Sequence, residues 1–407
     1  MSLDSVGEAH AAMTGLISRV MTRSTSTHVA VVGAGVIGLS CACFLARRGL
    51  DVVVLERKVP GAGSSTRSGS GIRSQLGTAT NIQLSVISEP YWAKFYERFG
   101  VDPWLNRIGY LFLAGDDGEL EALRRQVELQ HEFGVPSELL LAEDVSSRWP
   151  SLRDCGFAGG SHCAADGFLS QHRVLRAFAS AAESAGATME CGSEVIGFAL
   201  EAGTISAVQT THGLIPTDLV VNCAGAWAPQ VAGSIGIELP IRSRRVQLLH
   251  AQPPAPLPAD LPWLIGPGGQ VHLRRDVDDR VQIGGFLGED ETVDVAAFDH
   301  DADEDWVTRV LEQVRSTFGV EVERSSVIES WAGIYPSTPD QHPIIDETEA
   351  GMVVVGGFAG LGLMHAPAAG LLATELIVDG KITSLDPTAV SLARFSGSIE
   401  TVEHTGF

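Results

Sequence analysis

The chain has 407 residues, 44% of them apolar, and a formal net charge of −22. That length holds two structural domains with large cores, and the apolar content is that of a globular protein rather than a disordered or fibrous one. So acidic a surface repels the phosphates of nucleic acids and anionic membranes, which excludes both as expected partners.

Residues 1–26 carry Arg19, Arg23 and a Ser/Thr-rich end without a long apolar core, which argues against a secretory signal. They read as a disordered extension, and Met21 can serve as the natural start. The next stretch, 29–56, is the most informative in the chain. An apolar strand, Val29-Ala-Val-Val32, enters the turn Gly33-Ala-Gly35-Val-Ile-Gly38, a helix follows, and a second apolar strand ends on Glu56, 18 residues after Gly38. Gly33 permits the tight turn, Gly35 lets the backbone approach a pyrophosphate, and Gly38 lets the helix pack on the strand. The helix N-terminus faces the phosphates, and Glu56 sits where a carboxylate accepts from a ribose diol. These features together predict dinucleotide binding.

Residues 29–46 are uncharged, as are 351–374, and either run is long enough to be mistaken for a membrane span. The glycines within them argue instead for buried strands of a parallel sheet, apolar on both faces. No membrane span is expected. Beyond Glu56 come the small-residue loops Gly61-Ala-Gly63-Ser64-Ser65 and Ser68-Gly-Ser-Gly71-Ile-Arg73. Helical patterns follow at 80–99 and 116–133, then a helix at about 171–185 and a strand at 188–198. The strand Leu219-Val-Val-Asn222 leads into Cys223-Ala-Gly225-Ala-Trp227. A proline-rich stretch, 253–267, opens a region with strands near 270–275 and 281–286, an acidic segment at 289–305 and a helix at 304–318. The chain returns at 352–355 with a strand, a second glycine turn (Gly356 to Gly362) and a helix predicted over 366–378.

This alternation predicts an α/β protein of two interleaved domains. A dinucleotide domain takes 27–79, 160–230 and 345–390; a substrate domain takes 80–159 and 231–344; 391–407 reads as a C-terminal tail. Cysteines 41, 43, 155, 163, 191 and 223 show no CxxC spacing and read as reduced thiols of a cytoplasmic protein, with no metal site. The second glycine turn points to FAD rather than NAD. A helix N-terminus there would stabilise negative charge on the pyrimidine side of a flavin.

The motifs in this order resemble the FAD-dependent D-amino-acid oxidase, sarcosine oxidase and glycine oxidase family, and within it the dehydrogenase-like members. They are the Gly33 fingerprint, Gly71-Ile-Arg73, Asp166-Gly167, Asn222-Cys-Ala-Gly225-Ala-Trp227, Tyr335-Pro-Ser-Thr-Pro339-Asp340 and Gly357-Phe-Ala-Gly360-Leu-Gly362. The resemblance implies a Rossmann-type, glutathione-reductase-like FAD domain and an α+β substrate domain on a mixed sheet. It implies that Gly33, Gly35, Gly38, Glu56, Arg57, Ser64, Ser65 and the backbone of Val195 hold the ADP half of FAD. Ala224, Gly225 and Trp227 belong to the same motif set, and Gly360, Leu361, Gly362, Leu363 and Met364 lie along the flavin pyrimidine. Arg73 matches a position that binds a substrate carboxylate, as a guanidinium fork can, or else makes a structural ion pair.

The chain also departs from the family pattern. The cysteine that bonds flavin in monomeric sarcosine oxidases falls at Gly333, and no histidine lies at 57–80, so FAD is expected to bind non-covalently. The oxygen-activating lysine aligns with Gln282, which favours a dehydrogenase. His272, Arg274 and Tyr335 join Arg73 as candidates to line the substrate site; His272 and Arg274 share one face of a strand, and His272 reads equally as a surface residue. Asp340 and His342 read as structural. The expected activity is oxidation of the C–N bond of an amino acid or secondary amine by hydride transfer, the flavin supplying the acceptor. An FAD subunit delivering electrons to a partner protein, a 2-hydroxy-acid dehydrogenase and a non-catalytic FAD-binding assembly protein are the alternatives.

Overall fold

The computed structural model describes residues 28–287, 292–397, 399 and 401–403. The expectation for 1–26, and part of that for the acidic segment 289–305, lie outside them. The first apolar strand, His28–Val32, is central: Leu219–Asn222 and Asp51–Glu56 pair with it in parallel on either side. The six-stranded sheet runs Ile344–Glu347, Met352–Gly356, Leu219–Asn222, His28–Val32, Asp51–Glu56, Thr188–Cys191. Its inner strands, Met352–Gly356, Leu219–Asn222 and His28–Val32, are almost wholly buried because both faces are covered, whereas the edge strand Thr188–Cys191 is largely exposed. The helix Val36–Arg47 packs between Gln171–Ser184 and Gly362–Thr374. Its approach to the last of these is close, since a Cβ on Gly370 would stand 2.5 Å from Ser40 Oγ. The uncharged run 29–46 is thus strand, turn and helix, and among the described residues no helix is long and apolar enough to cross a membrane.

The second sheet has eight strands in the order Val327–Ser337, Arg242–Ala251, Val281–Gly285, Val271–Arg275, Trp263–Ile265, Tyr110–Ala114, Gly159–Cys163, Glu138–Leu141. It is antiparallel except where Trp263–Ile265 meets Tyr110–Ala114. The amphipathic helix Glu304–Phe318 lays Trp306, Val310, Val314 and Phe318 on one face of it.

Packing moves several expected boundaries. Gly159–Cys163, assigned by sequence mostly to the dinucleotide domain, is a strand of the second sheet. The helices Ala79–Ala93 and Phe95–Phe99, assigned to the substrate domain, bury Ile82, Leu84, Trp92 and Phe95 in the dinucleotide core. The strand expected over 188–198 breaks at Gly192 (φ +74°), and Val195–Glu201 joins a separate three-stranded sheet. The helix expected at 366–378 starts at Gly362, straight out of the glycine turn, and ends in a π-turn at Glu375–Asp379. Asp340 and His342 brace the preceding turn: Asp340 accepts from the His342 N–H at 3.1 Å and from Arg394 Nε at 2.7 Å.

Candidate active site

A cavity of about 310 Å³ opens at the carboxyl ends of the central parallel strands. Its floor is the first glycine turn. Gly33 takes φ +100°, and a Cβ there would stand 2.8 Å from Cys223 O; a Cβ on Gly38 would stand 1.9 Å from Gly33 O. Glu56 ties the turn together, its carboxylate accepting the N–H of Ala34 at 2.9 Å and of Lys58 at 2.8 Å. Ser65 Oγ accepts the N–H of Val36 at 3.0 Å, so its own proton points elsewhere, whereas Ser64 Oγ donates to Ile334 O at 2.6 Å. The Arg57 guanidinium lies 3.9 Å over the Trp227 ring. Val195, Ala224 and Gly225 line one wall, and Gly360, Gly362 and Leu363 the far end. Gly38 contacts the turn from beneath and does not line the cavity. Sequence reasoning missed Lys58, Ser193 and His300. Ser193 follows the edge strand Thr188–Cys191, where strand-end loops of such sheets gather ligands, while His300 arrives from the other domain and has no local signal.

A second cavity, about 40 Å³, adjoins the first and shares Ser68, Tyr335, Gly360 and Leu363 with it. Arg73, His272, Tyr335, Leu361 and Met364 all line it, so three of the four expected substrate residues meet here. Arg73 and His272 are buried, so His272 is no surface residue, and Tyr335 is half-buried. Arg274 is the exception. It shares the face of His272, but two residues along a strand is roughly 6.6 Å, which carries it past the cavity. Its guanidinium lies 3.9 Å over Phe168, with Nη1 3.0 Å from Asp276 Oδ1 and Nε donating to Gln282 Oε1 at 3.2 Å.

Sequence reasoning missed Tyr110, Leu248 and Trp263 on the walls of this cavity, Tyr110 among them bearing a polar group. Its strand reads as core, and only Gly71 hints at it: a Cβ on Gly71 would stand 2.1 Å from the Tyr110 hydroxyl. Burial sets the protonation states. It draws Arg73 down, opposed by Tyr110, Glu403 and Asp166, though a guanidinium stays charged. It pushes Tyr335 up to about 12 and Tyr110 well above its usual range, so both keep their protons. Burial, then the cations Arg274 and Arg73, hold His272 at about 3, hence neutral.

The Arg73 segment is fixed by buried polar groups. Arg73 Nη1 donates to Gln75 O, and Ser85 Oγ to Arg73 O at 2.9 Å. Asp166 accepts the Ser74 N–H at 2.8 Å and the Gln75 amide at 3.2 Å. Farther on, Glu403 accepts the N–H groups of Gly77 and Thr78 at 2.9 and 3.1 Å.

Residues 28–376 match the DAO family, FAD dependent oxidoreductase. The chain belongs to this family. It is 31% identical to the crystal structure of L-proline dehydrogenase from P. horikoshii, with a TM-score of 0.82 over 91% of this chain and 98% of that one. Glycine oxidase of Geobacillus kaustophilus is 27% identical over 91% of this chain and 98% of its own length. FAD-dependent oxidoreductase domain-containing protein 1 of Xenopus laevis is 31% identical over 90% and 82%. The family's two-sheet FAD-binding fold is the one described above. The residues present fit the cofactor: Gly33 and Gly360 keep open a cradle that a Cβ would fill or distort, and helix N-termini meet the large cavity at both ends.

Proposed function

We propose that this flavoprotein oxidises the C–N bond of a small amino acid, secondary and cyclic ones included, with FAD bound non-covalently and a dehydrogenase's slow reaction with oxygen. The observation that carries this reading is the small cavity lined by Arg73, His272, Tyr110 and Tyr335, adjoining the dinucleotide cavity at Gly360 and Leu363. Two relatives named for amino-acid oxidation, the L-proline dehydrogenase and the glycine oxidase, support it.

In this reading Gly33, Gly35, Glu56, Arg57, Ser65 and Val195 hold the ADP half of FAD, and the Gly360–Met364 turn holds the pyrimidine edge. When bound, the flavin supplies the acceptor for a hydride from the carbon bearing nitrogen. Arg73 binds the substrate carboxylate through its fork, and burial strengthens that charge-assisted pairing. Tyr110 and Tyr335, both protonated, donate hydrogen bonds, and Trp263 and Leu248 keep the pocket small and dry. Among the described residues no carboxylate lines it, and in this reading the substrate amine binds neutral and needs no protein base.

Non-covalent binding is favoured by Gly333, which offers no nucleophile; acid precipitation should leave all the flavin in solution. Yellow pellet would reject this and direct attention to His300, Cys223 and Tyr335, three of the nucleophilic side chains that line the cavity. Slow reaction with oxygen is favoured by Gln282, a neutral amide held between Arg274 and His250 at 3.2 and 3.1 Å. The free thiols suit a reducing, cytoplasmic setting.

The test is anaerobic titration of the purified protein with amino acids, N-methyl amino acids and 2-hydroxy acids, following flavin absorbance. Bleaching by an amino acid with slow return in air is the expected result. Bleaching by hydroxy acids alone would reassign the substrate class, and bleaching by nothing would point to a missing partner or a non-catalytic role. Arg73→Ala is expected to raise KM at least tenfold, the loss of a charge-assisted bond worth about 1.5–3 kcal/mol, with FAD retained.

A further inference from the structure

The most constrained contact at the small cavity is one between two of its own walls. Trp263 Nε1 lies 3.2 Å from His272 Nδ1. An indole N–H can only donate, so Nδ1 must present its lone pair. An imidazole accepting at Nδ1 carries its single ring proton on Nε2, and a doubly protonated ring could not accept at all.

The indole is not free to turn. It stacks on Tyr110 with centroids 4.7 Å apart and meets Phe168 edge-on at 6.5 Å. The Arg274 guanidinium stands 5.1 Å from its centroid. Gly69 and Gly71 make room for it, since a Cβ on either would stand 3.1 or 3.4 Å from the ring. The imidazole is placed as tightly: its Nε2 would be 2.3 Å from a Cβ on Gly284, its cross-strand partner. The charged and titratable groups around it are Arg274 on its own strand, Arg73 from the loop opposite, Tyr110 from the adjoining part of the sheet and Tyr335 across the cavity. None of these is a carboxylate that would favour a second proton.

We propose that Trp263 is a positioning residue whose indole N–H fixes the tautomer of His272, so that His272 acts toward the substrate as an Nε2–H donor and never as a base. This rests on the amino-acid oxidation reading, in which the amine arrives neutral and needs orientation rather than deprotonation. Trp263 thereby makes the difference between a ring that donates to the substrate and one that has its proton on the wrong side.

The experiment combines spectra with a mutant cycle. In FAD-loaded wild-type protein labelled with ¹⁵N-histidine, the His272 resonances, identified by their absence in His272→Gln, should show an unprotonated Nδ1 and a protonated Nε2. Trp263→Phe keeps the ring and removes the donor; it should mix the two tautomers. With L-proline and glycine as reductants, Trp263→Phe should raise KM by about the inverse of the Nε2–H fraction that the spectra show, about twofold for an even mixture, with a smaller change in kcat. A glutamine amide nitrogen reaches the place of Nε2 and has no tautomer to choose. Trp263→Phe added to His272→Gln should therefore leave KM unchanged. A protonated Nδ1 in the wild type would overturn the proposal without any variant. So would a loss in the His272→Gln background as large as that in the wild-type background, because the indole would then be only a wall. If neither amino acid bleaches the flavin, the donor role toward such substrates falls with the oxidation reading, whatever the spectra show of the tautomer.

Discussion

Gly360 shows how much a single missing atom can decide. Its φ is +86°, and a Cβ there would stand 2.3 Å from the Tyr335 ring. Gly360→Ala must therefore rotate Tyr335 or reshape the turn, and is expected to cost ~2–4 kcal/mol and most of the bound FAD. Gly100 is the control, with φ +71° but nothing within 4 Å; its alanine variant should lose only about 1 kcal/mol and keep the cofactor. The ratio of flavin to protein absorbance and a thermal melt decide both; equal losses would mean that backbone strain, not the ring, is the constraint. At this scale Arg73, His272 and Tyr335 were legible because motif and alternation mark them. Arg274 was not, since period-two reasoning gives the face of a strand and not the distance along it. Tyr110 was hidden because a strand filled with apolar residues gives no sign of which one borders a cavity.

At the scale of elements, the helix Ala79–Ala93 begins in an unusual way. Its N-cap, Thr78, makes no side-chain cap bond of its own. Thr78 Oγ1 donates instead to Glu403 at 2.9 Å, with His342 Nε2 also 2.9 Å from it. Glu403 supplies the cap through the Gly77 and Thr78 amides, its negative charge at the positive end of the helix. Glu403→Gln leaves one oxygen for these donors and turns an amide toward the others. It should destabilise the protein by about 1–3 kcal/mol and, by loosening the segment that carries Arg73, raise KM more than it lowers kcat. Urea melts and steady-state kinetics test the two parts; a variant as stable as the wild type would remove the cap from the account. Read as a tail, 391–407 has no role, because a cap 325 residues away leaves no local signature at either end.

Across the whole molecule, buried ionisable groups tie stability to pH. Burial holds His272 and His365 at about 3, far below the ~6.5 of an unfolded histidine. Between those values the unfolded chain binds two protons that the native one refuses, so stability is full above pH ~6.5 and falls as pH drops, by about 1.4 kcal/mol per unit for each histidine. Asp166 acts in the opposite sense: burial, against its hydrogen bonds from Ser74 and Gln75, raises it to about 6, so the native state takes up its proton first. His365→Gln should flatten the fall in stability between pH 6 and 4 by ~1.4 kcal/mol per unit, measured as melts at matched ionic strength. Parallel slopes for variant and wild type would show that His365 is already protonated in the native state. The two glycine turns were legible in sequence because each is a local pattern. Domain membership was less so, since Gly159–Cys163 and the helices 79–99 are assigned by the surfaces they find, and those lie far away in the chain.

The cap on Ala79–Ala93 also sets an order of events during synthesis. Its donors leave the ribosome 325 residues before their acceptor does. At ~5–20 residues per second that gap lasts on the order of 15–65 s. During it His28–Val32 and Asp51–Glu56 can pair first, and Leu219–Asn222 and Met352–Gly356 join as they emerge, while the loop bearing Arg73 waits with exposed amides. The substrate side of the site is thus completed only after translation has passed residue 403.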